Sequence, residues 1–510
     1  MENTNKFKVL LVSTCLFTRH TYSTGFSLAI ACLKSYAEKM LPGRADIKNV
    51  NFFGECENDF RETVKSFGPE LIGFSCYLWN IDIVRGLCGI VRKEFPGVKI
   101  LLGGPEATGR RETFLKETDS DFLIVGEGED SFVKLLSALT EKRRPENIEG
   151  LILPDSAAEY ALKCRSKLLP VEDFPFPYTV ENMGMEPYPE MFFPMETMRG
   201  CANHCAYCTW TELGQRSVRY YSDERIAQNL EWVMKNAPRS RIFVCDSDTF
   251  ANRERALRLA PLFLRAAEAG HTFTFQTNLN SWDEALMEAY SHPNYEFDIG
   301  INALALRTQK VYSREFSVES MEKKILAMKQ KMPLTTAFIE LMYASPGENL
   351  ADFCKAIDWA FSQSEHPLFF HTQLFHGTPV HRNADKLKIV SNPRPPYYIL
   401  STADCSEEML RIEDIMVIAI TTWNMNNVLK ADFKKNIAEK YGGSYSKAFF
   451  DIWHGLDGRG KAVLMDVCEK LRKGPFCIIH YMIDISHGYP QTGENICSRY
   501  AEAVNSVYPR

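Results

Sequence analysis

This sequence lacks several features of membrane, secreted and nucleic-acid-binding proteins. No run of eighteen apolar residues occurs, so we expect no membrane-spanning helix. The first residues lack the apolar stretch of a signal peptide, which predicts a cytoplasmic chain. The formal net charge is −6 and no long run of Lys and Arg is present, so we expect neither nucleic acid nor a membrane as a partner.

The composition is that of a soluble globular protein in a reducing compartment. Apolar residues make up 45% of the 510 residues and charged residues 24%, and this length predicts two to three domains. Fifteen cysteines occur without a secretion signal, so we expect reduced thiols and not a disulfide framework.

Strand and helix signals alternate through residues 1–150. Short apolar runs at 7–13, 47–52, 71–75 and 99–102 read as buried strands, another follows at 122–125, and helix-length segments separate them. This rhythm predicts a doubly wound parallel sheet, whose ligands bind beyond the carboxyl ends of its strands.

Glycine-rich and aromatic loops follow three of these predicted strands. Glycine lets a backbone approach a ligand closely, although tight turns alone would also explain each loop. Because the three loops follow consecutive strands, we predict a ligand site formed by Thr14, by Ser75, Tyr77, Leu78, Trp79 and Asn80, by Gly103, Gly104, Pro105 and Glu106, and by Gly126, Glu127, Gly128 and Glu129.

Three cysteines with C-x3-C-x2-C spacing, Cys201, Cys205 and Cys208, follow an apolar run. Thiolates are soft ligands that suit an iron–sulfur cluster or zinc. Three ligands leave one iron of a [4Fe–4S] cluster open for a reactant, whereas a closed zinc site needs a fourth ligand, for which His204 is the nearest candidate. Uninvolved cysteines are the third interpretation.

Prolines and a second strand–helix rhythm divide the rest of the chain. The proline-rich stretch 151–192 predicts an extended linker. From 193 to 395, six strand–helix units predict a partial (β/α)6 barrel with its functional residues at the carboxyl ends of the strands. Residues 396–510 are expected to form a mainly helical cap.

The three loops and the cysteine triad together resemble the cobalamin-dependent radical S-adenosylmethionine (SAM) enzyme family. The resemblance implies that residues 1–150 form a Rossmann-like cobalamin-binding domain and that residues 193–395 form a radical SAM barrel. It implies a [4Fe–4S] cluster on the three cysteines, with SAM at its open iron, and cobalamin on the glycine-rich loops. No Asp-x-His-x-x-Gly follows the first strand, so no protein histidine is expected on cobalt.

The same resemblance assigns residues in the barrel to SAM. As alternatives, Asp246 and Asp248 would cap the following helix and Arg314 would be a surface residue. The residues assigned to SAM are Tyr207, Asp246, Ser247, Asp248, Asn302, Arg314 and Tyr343.

The implied function is methylation of an unactivated carbon in a small molecule or peptide, through a 5′-deoxyadenosyl radical and methylcobalamin. Such a methyltransferase takes electrons from an external donor of the flavodoxin or ferredoxin type. Two alternatives stay open: a radical rearrangement, ring contraction or cyclisation in which cobalamin is not the methyl donor, and a non-catalytic cobalamin-binding regulator. The substrate is not identifiable from the sequence.

Overall fold

The computed structural model describes residues 6–15, 25–211, 217–365, 367–425, 430–473, 502–504 and 506–507. The chain divides into two compact units. Unit 1 contains Met1–Phe275 and Phe375–Thr378, and unit 2 contains Gln276–Leu374 and Pro379–Arg510. Among the described residues, no helix is both long enough and apolar enough to span a bilayer.

Unit 1 begins with a six-stranded sheet in the order β2-β1-β3-β4-β5-β6. Neighbouring strands are parallel except that β6 runs antiparallel to β5. The strands are β1 (Phe7–Cys15), β2 (Ala45–Phe53), β3 (Leu71–Ser75), β4 (Lys99–Gly103), β5 (Phe122–Ile124) and β6 (Leu151–Ile152). The helices are α1 (Leu28–Met40), α2 (Glu57–Phe67), α3 (Ile81–Glu94), α4 (Pro105–Gly109), α5 (Phe114–Thr118) and α6 (Glu129–Thr140).

Apolar residues cover both faces of this sheet. Successive side chains of a strand point to opposite faces, so Val9 and Leu11 enter one core, and Leu10 and Val12 enter the other. The doubly wound parallel sheet predicted from the sequence is therefore confirmed. Its strand order reverses between β1 and β3, which is where such sheets form a ligand crevice.

Two details of unit 1 differ from the sequence prediction. The apolar run at 151–153, which the sequence analysis placed in the extended linker, contributes the edge strand β6 to the first sheet. The helices α4 and α5 were not predicted, because the glycines before Pro105 indicated only a loop. Proline suits the first turn of a helix, where its missing N–H needs no partner.

The remainder of unit 1 contains the linker and the first part of the predicted barrel. In the linker lie α7 (Ala158–Lys163), a 3-10 helix (Val171–Asp173) and α8 (Val180–Met183). The strands β7, β10 and β11 pair in parallel in the order β7-β10-β11, and the short β8 and β9 pair antiparallel. The elements are β7 (Phe192–Met195), β8 (Met198–Arg199), β9 (Arg219–Tyr220), α9 (Asp223–Asn236), β10 (Arg241–Val244), α10 (Arg253–Glu268) and β11 (Thr272–Thr277), with a 3-10 helix at Thr209–Thr211.

Unit 2 contains three parallel strands, followed by helices. The strands pair in the order β12-β13-β14. The elements are a 3-10 helix (Leu279–Ser281), α11 (Glu284–Ala289), β12 (Tyr295–Asn302), α12 (Leu306–Val311), α13 (Val318–Lys331), β13 (Thr336–Tyr343), α14 (Leu350–Gln363), β14 (Leu368–His371), α15 (Pro379–Arg382), β15 (Val390–Ser391), β16 (Ile399–Ser401), α16 (Glu407–Met425), α17 (Lys430–Tyr441), α18 (Tyr445–Gly455) and α19 (Gly458–Lys473).

Parallel strands alternate with helices through the region predicted as a partial barrel, with β7, β10 and β11 in unit 1 and β12, β13 and β14 in unit 2. The described part of the C-terminal region is mainly helical, as expected. The domain boundaries at 150, 192 and 395 remain predictions.

Candidate functional site

At the strand-order reversal, one buried amide joins the carboxyl ends of β1 and β3. The Asn80 Nδ2 donates to the carbonyl oxygens of Thr14, at 3.2 Å, and Ser75, at 2.8 Å, while its Oδ1 accepts from the Tyr77 N–H at 2.8 Å. Within the described part of the chain, the buried Thr14 Oγ1 has no hydrogen-bond partner. An unsatisfied buried hydroxyl calls for an explanation, and a ligand at this edge would supply the missing partner.

The next two loops pack against this one through backbone contacts. Gly104 has φ +104°, and a Cβ there would lie 2.6 Å from the Cys76 carbonyl oxygen, so only glycine fits. The Glu106 N–H donates to that carbonyl at 3.2 Å, and the Gly126 N–H donates to the Thr108 Oγ1 at 3.0 Å. The structure thus gathers the loops at 75–80, 103–106 and 126–129 along one edge, and their binding of cobalamin stays a prediction.

An aromatic pair occupies the loop after β3. The rings of Tyr77 and Trp79 stack with centroids 4.4 Å apart, and Trp79 is 44% exposed, whereas Leu78 between them is half-buried. The pKa of Tyr77 is raised to about 12, chiefly by burial and to a smaller extent by the nearby Cys245 and Glu196, although a hydrogen bond with Ser75 lowers it. Since Cys245 follows β10 and Glu196 follows β7, this ring lies near the first barrel strands of unit 1.

The three cysteines share one short loop after β8. Cys205 is buried, and Cys201 and Cys208 are half-buried. The Cys208 N–H donates to the Cys205 carbonyl at 3.1 Å, which closes a tight turn around the half-buried Tyr207. Among the described residues, no three His, Cys, Asp or Glu side chains are arranged to hold a metal ion. By its chemistry, a set of three soft thiols on one loop fits an iron–sulfur cluster.

The end of β10 holds the start of this loop in place. The Asp246 Oδ1 accepts from the backbone N–H groups of Thr197, at 2.8 Å, and Met198, at 3.1 Å, and its Oδ2 accepts from the Thr197 hydroxyl. Burial raises the Asp246 pKa although these hydrogen bonds oppose the shift. The Ser247 hydroxyl donates to the Gly200 carbonyl at 2.8 Å. Both side chains therefore position the cysteine loop, and their predicted contacts with SAM remain predictions.

Neither acid after β10 caps the following helix. Asn252 caps α10, since its side chain accepts from the Arg255 N–H at 3.1 Å. The Asp248 Oδ1 accepts from the Phe250 N–H at 3.2 Å, and the Asp248 side chain is buried. The capping alternative for Asp246 and Asp248 is therefore wrong.

A buried arginine that the sequence analysis did not single out joins the cysteine loop to the loop after β5. The Arg199 Nη1 lies 2.7 Å from the Glu129 Oε1 and 3.4 Å from the Glu127 Oε2, and its Nε lies 2.9 Å from the Glu196 Oε2. Its guanidinium also lies 4.4 Å from the centroid of the Phe174 ring. Only the opposite charges of the two loops could have indicated this pairing.

In unit 2, two residues predicted to bind SAM meet around Gly300. The Arg314 Nη2 donates to the Gly300 carbonyl at 2.6 Å. A Cβ at Gly300 would lie 3.5 Å from the Asn302 Nδ2 and 3.6 Å from the Arg314 Nη2. Arg314 and Gly300 line a small pocket together with Asn278, Asn280 and Phe316. Arg314 is thus a pocket residue and not an isolated surface residue.

The Tyr343 side chain is used inside unit 2. It is fully buried, and its hydroxyl donates to the Asp414 Oδ1 at 2.8 Å. The next residue, Ala344, has φ +56°, a conformation that ordinarily favours glycine. A SAM contact by the Tyr343 side chain is not supported by this placement, and the assignment of this position remains a prediction.

Two family models match this chain. The B12 binding domain matches residues 17–136, and the Radical SAM superfamily matches residues 195–360.

The curated relatives found by sequence include methyltransferases. The cobalamin-dependent radical SAM methyltransferase TokK of Streptomyces tokunonensis is 28% identical over 200 residues, which are 38% of this chain and 29% of that protein. The 2-(S-pantetheinyl)-carbapenam-3-carboxylate methyltransferase of Streptantibioticus cattleyicolor is 26% identical over 200 residues, with the same two shares. The chain thus spans less than a third of the length of both relatives.

Solved structures resemble the fold. The cobalamin-dependent S-adenosylmethionine radical enzyme OxsB, with aqua-cobalamin and S-adenosylmethionine bound, gives a TM-score of 0.64 at 13% identity, over 99% of this chain and 79% of that one. The radical S-adenosylmethionine methyltransferase TsrM from Kitasatospora setae, with tryptophan substrate and a SAM analog bound, gives 0.61 at 13% identity, over 78% of this chain and 81% of that one.

Proposed function

Because this chain belongs to the cobalamin-dependent radical SAM family, we propose that it methylates an unactivated carbon of a small molecule or peptide. The proposal is carried by one observation, the ionic link of Arg199 to Glu127 and Glu129 within unit 1. This link joins the predicted corrinoid loop to the loop that carries the cysteines. Two cofactors that must act on one substrate need such a fixed relation.

The residues of unit 1 fit the cofactors that the family uses. The unsatisfied Thr14 hydroxyl and the glycine-dependent backbone at Gly104 would receive cobalamin, and Cys201, Cys205 and Cys208 would bind the [4Fe–4S] cluster. When bound, the cluster and SAM supply a 5′-deoxyadenosyl radical that removes hydrogen from carbon, and cobalamin supplies the methyl group.

The protein's part in this chemistry is to orient the groups and exclude water. Asp246 and Ser247 fix the cysteine loop through its backbone. Within unit 2, the Arg314 guanidinium suits a carboxylate ligand and the Asn302 amide suits the hydroxyls of a ribose, which is the chemistry that the proposal assigns to them. A radical must be kept from solvent and from other hydrogen donors, and in unit 1 the buried Cys205 and Asn80 contribute to that exclusion.

The proposal includes an external electron donor of the flavodoxin or ferredoxin type and a cytoplasmic location. No cysteine of the described residues is placed in a disulfide, which accords with a reducing compartment. The substrate enters the proposal only as a class, a small molecule or peptide with an unactivated carbon.

The test uses anaerobically purified protein reconstituted with iron, sulfide and hydroxocobalamin. It is incubated with a chemical reductant, methyl-labelled SAM and fractions of candidate small molecules and peptides. We expect label in a product, together with S-adenosylhomocysteine and 5′-deoxyadenosine. A Cys201→Ala variant is expected to form none of these, whereas Cys354→Ala, on α14, is expected to behave like the wild type.

Two results would contradict the proposal. If the reconstituted protein retains neither iron nor cobalt, the proposed function has no basis. Release of 5′-deoxyadenosine with conversion of a substrate but without transfer of label would show a reaction other than methylation.

A further inference from the structure

The buried charges around Arg199 connect two loops that are distant in the sequence. Glu127 and Glu129 belong to the loop after β5, and Glu129 is the first residue of α6. Arg199 ends β8 and stands two residues before Cys201. The ion pairs therefore bridge about seventy residues of chain, between the predicted corrinoid loop and the predicted cluster loop.

The guanidinium and its carboxylate partners are almost completely removed from solvent. Arg199 is 7% exposed, Glu127 8% and Glu129 5%. A buried charge that loses its partner is strongly disfavoured, so these groups move together or the pairs break. The geometry thus resists independent movement of the two loops.

A second arginine reinforces the bridge. Arg219 pairs with the Glu127 carboxylate, and its Nη1 donates to the Leu169 carbonyl at 2.5 Å. Arg219 lies on β9, which pairs with β8 at Arg199. Burial raises the pKa of Glu127, and the neighbouring Glu129 adds to this, while Arg219 and Arg199 lower it. The cluster loop and the loop after β5 thereby share one ionic network.

We propose that Arg199 is a positioning residue that couples corrinoid binding at the loop 126–129 to cluster binding at the loop 201–208. The inference rests on the proposed function for the identity of the two cofactors. Because the buried ion pairs already join the two loops, a loop that is held in place by its cofactor also holds the other loop and so favours occupancy of the other. Such coupling is reciprocal: the cluster tightens corrinoid binding by the same factor by which the corrinoid tightens cluster binding.

The experiment measures this linkage by binding and not by turnover. Hydroxocobalamin is titrated anaerobically by equilibrium dialysis into cluster-free protein and into protein reconstituted with iron and sulfide. For the wild type we expect the Kd to be about tenfold lower with the cluster present, within the usual range of coupling between sites. The electron paramagnetic resonance signal of the reduced cluster is recorded with and without hydroxocobalamin, and we expect it to change.

Variants assign the coupling to the ion pairs. Arg199→Met keeps the length of the side chain and removes its charge, so we expect both cofactors to bind but the two Kd values to agree within twofold. Arg199→Lys keeps the positive charge but cannot contact the carboxylates on both sides as the guanidinium does. We therefore expect the cluster to lower its Kd for hydroxocobalamin by a factor between those of Arg199→Met and the wild type. Glu129→Gln removes one carboxylate and should weaken the linkage if Arg199→Met does not fold.

The matched control is Arg92→Met. Arg92 also pairs with a carboxylate, with its Nη2 2.7 Å from the Asp121 Oδ2, but this pair lies at the amino end of β5, away from both loops. For Arg92→Met we expect the cluster to lower the Kd for hydroxocobalamin by the same factor as in the wild type. Equal Kd values in the wild type with and without the cluster, or full linkage in a folded Arg199→Met or Glu129→Gln variant, would overturn the inference. Wild-type protein that binds neither iron nor hydroxocobalamin would instead overturn the proposed function, and the inference with it.

Discussion

Each of the two units contains a buried ionic network, and the two networks connect different kinds of structure. In unit 1, Arg199 meets Glu127, Glu129 and Glu196. We call this the Arg199 network. It joins a loop predicted to bind cobalamin to a loop predicted to bind a cluster.

In unit 2, the Asp414 carboxylate lies 2.8 Å from the Tyr343 hydroxyl, 2.8 Å from the His371 Nδ1 and 2.6 Å from the Arg472 Nε. We call this the Asp414 network. The His371 Nε2 lies 2.8 Å from the Ile399 carbonyl oxygen, so both ring nitrogens face acceptors. The Asp414 network joins β13 and β14 to α16 and α19.

The comparison teaches that buried charge alone does not identify a binding site. Both networks hide arginine and carboxylate groups from solvent, and both contain residues that the sequence assigns to ligands. The Tyr343 hydroxyl, however, is used on Asp414, whereas the Arg199 network joins two loops that are predicted to bind cofactors. Loss of the Arg199 network should therefore appear in cofactor binding, and loss of the Asp414 network should appear in stability.

The largest expected effect is the loss of bound iron from the cysteine loop of unit 1. Cys205→Ala removes one of three thiolates, so we expect bound iron to fall to a residual level and reductive cleavage of SAM to fall to the background without protein. Iron analysis and the yield of 5′-deoxyadenosine measure it. The control Cys354→Ala changes a half-buried thiol of unit 2 and should leave both values unchanged. Wild-type iron content in Cys205→Ala would exclude the cysteine triad as the cluster site.

The next effect breaks the Asp414 network. Asp414→Ala leaves the buried Arg472 and His371 without their carboxylate, which should lower the free energy of unfolding by about 3–5 kcal/mol. Denaturant unfolding measures the change. The control Asp451→Ala removes an exposed pair with Lys440 and should leave the free energy of unfolding close to that of the wild type. A loss below about 1 kcal/mol in Asp414→Ala, or a loss of bound iron at full stability, would break the contrast between the networks.

A second effect on stability depends on pH and concerns the neighbouring Glu413. Burial raises its pKa to about 8, against a hydrogen bond from the Ala344 N–H, so the folded protein holds the proton more tightly than the unfolded chain. Its contribution to stability is thus fully present below about pH 4 and is lost as pH rises toward 8, by about 1.4 kcal/mol per pH unit within that window.

Glu413→Gln should remove this dependence, because an amide does not ionise. The difference in unfolding free energy between wild type and variant, measured at intervals from pH 5 to pH 8, should change in favour of the variant as pH rises. Glu407→Gln, at an exposed position of the same helix, serves as the control. A difference that stays constant with pH would refute the prediction.

The smallest effect concerns the exposed aromatic pair of unit 1. Trp79→Ala removes an indole stacked on Tyr77 at the predicted corrinoid edge, so we expect hydroxocobalamin affinity to fall about tenfold, in line with the energy of aromatic contacts. Equilibrium dialysis measures it, and the unfolding free energy should change little. Leu162→Ala, another exposed apolar residue of unit 1, should leave the affinity unchanged. Equal affinity in Trp79→Ala would remove the aromatic pair from the binding edge.

Local pattern explains most of what could be predicted. The strands of the first sheet and of the barrel, and the helices at 407–425 and 458–473, follow from apolar periodicity, which each segment carries by itself. The cysteine loop and the glycine-rich loops have short spacings that are visible without a fold. The contacts that hold the candidate site together are different. Asp246 binds backbone about fifty residues earlier in the chain, and Arg199 binds carboxylates about seventy residues earlier.

Such pairings depend on how the strands assemble, and a single sequence carries no periodic signal for them. The partner of the Tyr343 side chain could not be predicted either. The alternating pattern of the strand indicates which face of the sheet the side chain is on, but not which residue it contacts there. The positive φ of Ala344 also has no sequence signature, because alanine seldom adopts it.

The two-residue strand β6 has a practical consequence for dissecting this protein. It occupies the outer side of β5, and the Val125 N–H also donates to the Gly150 carbonyl at 2.8 Å. A recombinant fragment that stops at residue 150 would lack β6, so backbone N–H and C=O groups along β5 would be unpaired. Such an exposed strand edge favours edge-to-edge aggregation. We expect such a fragment to elute from a sizing column as large soluble aggregates, and one extended to residue 169 to elute as a single small species.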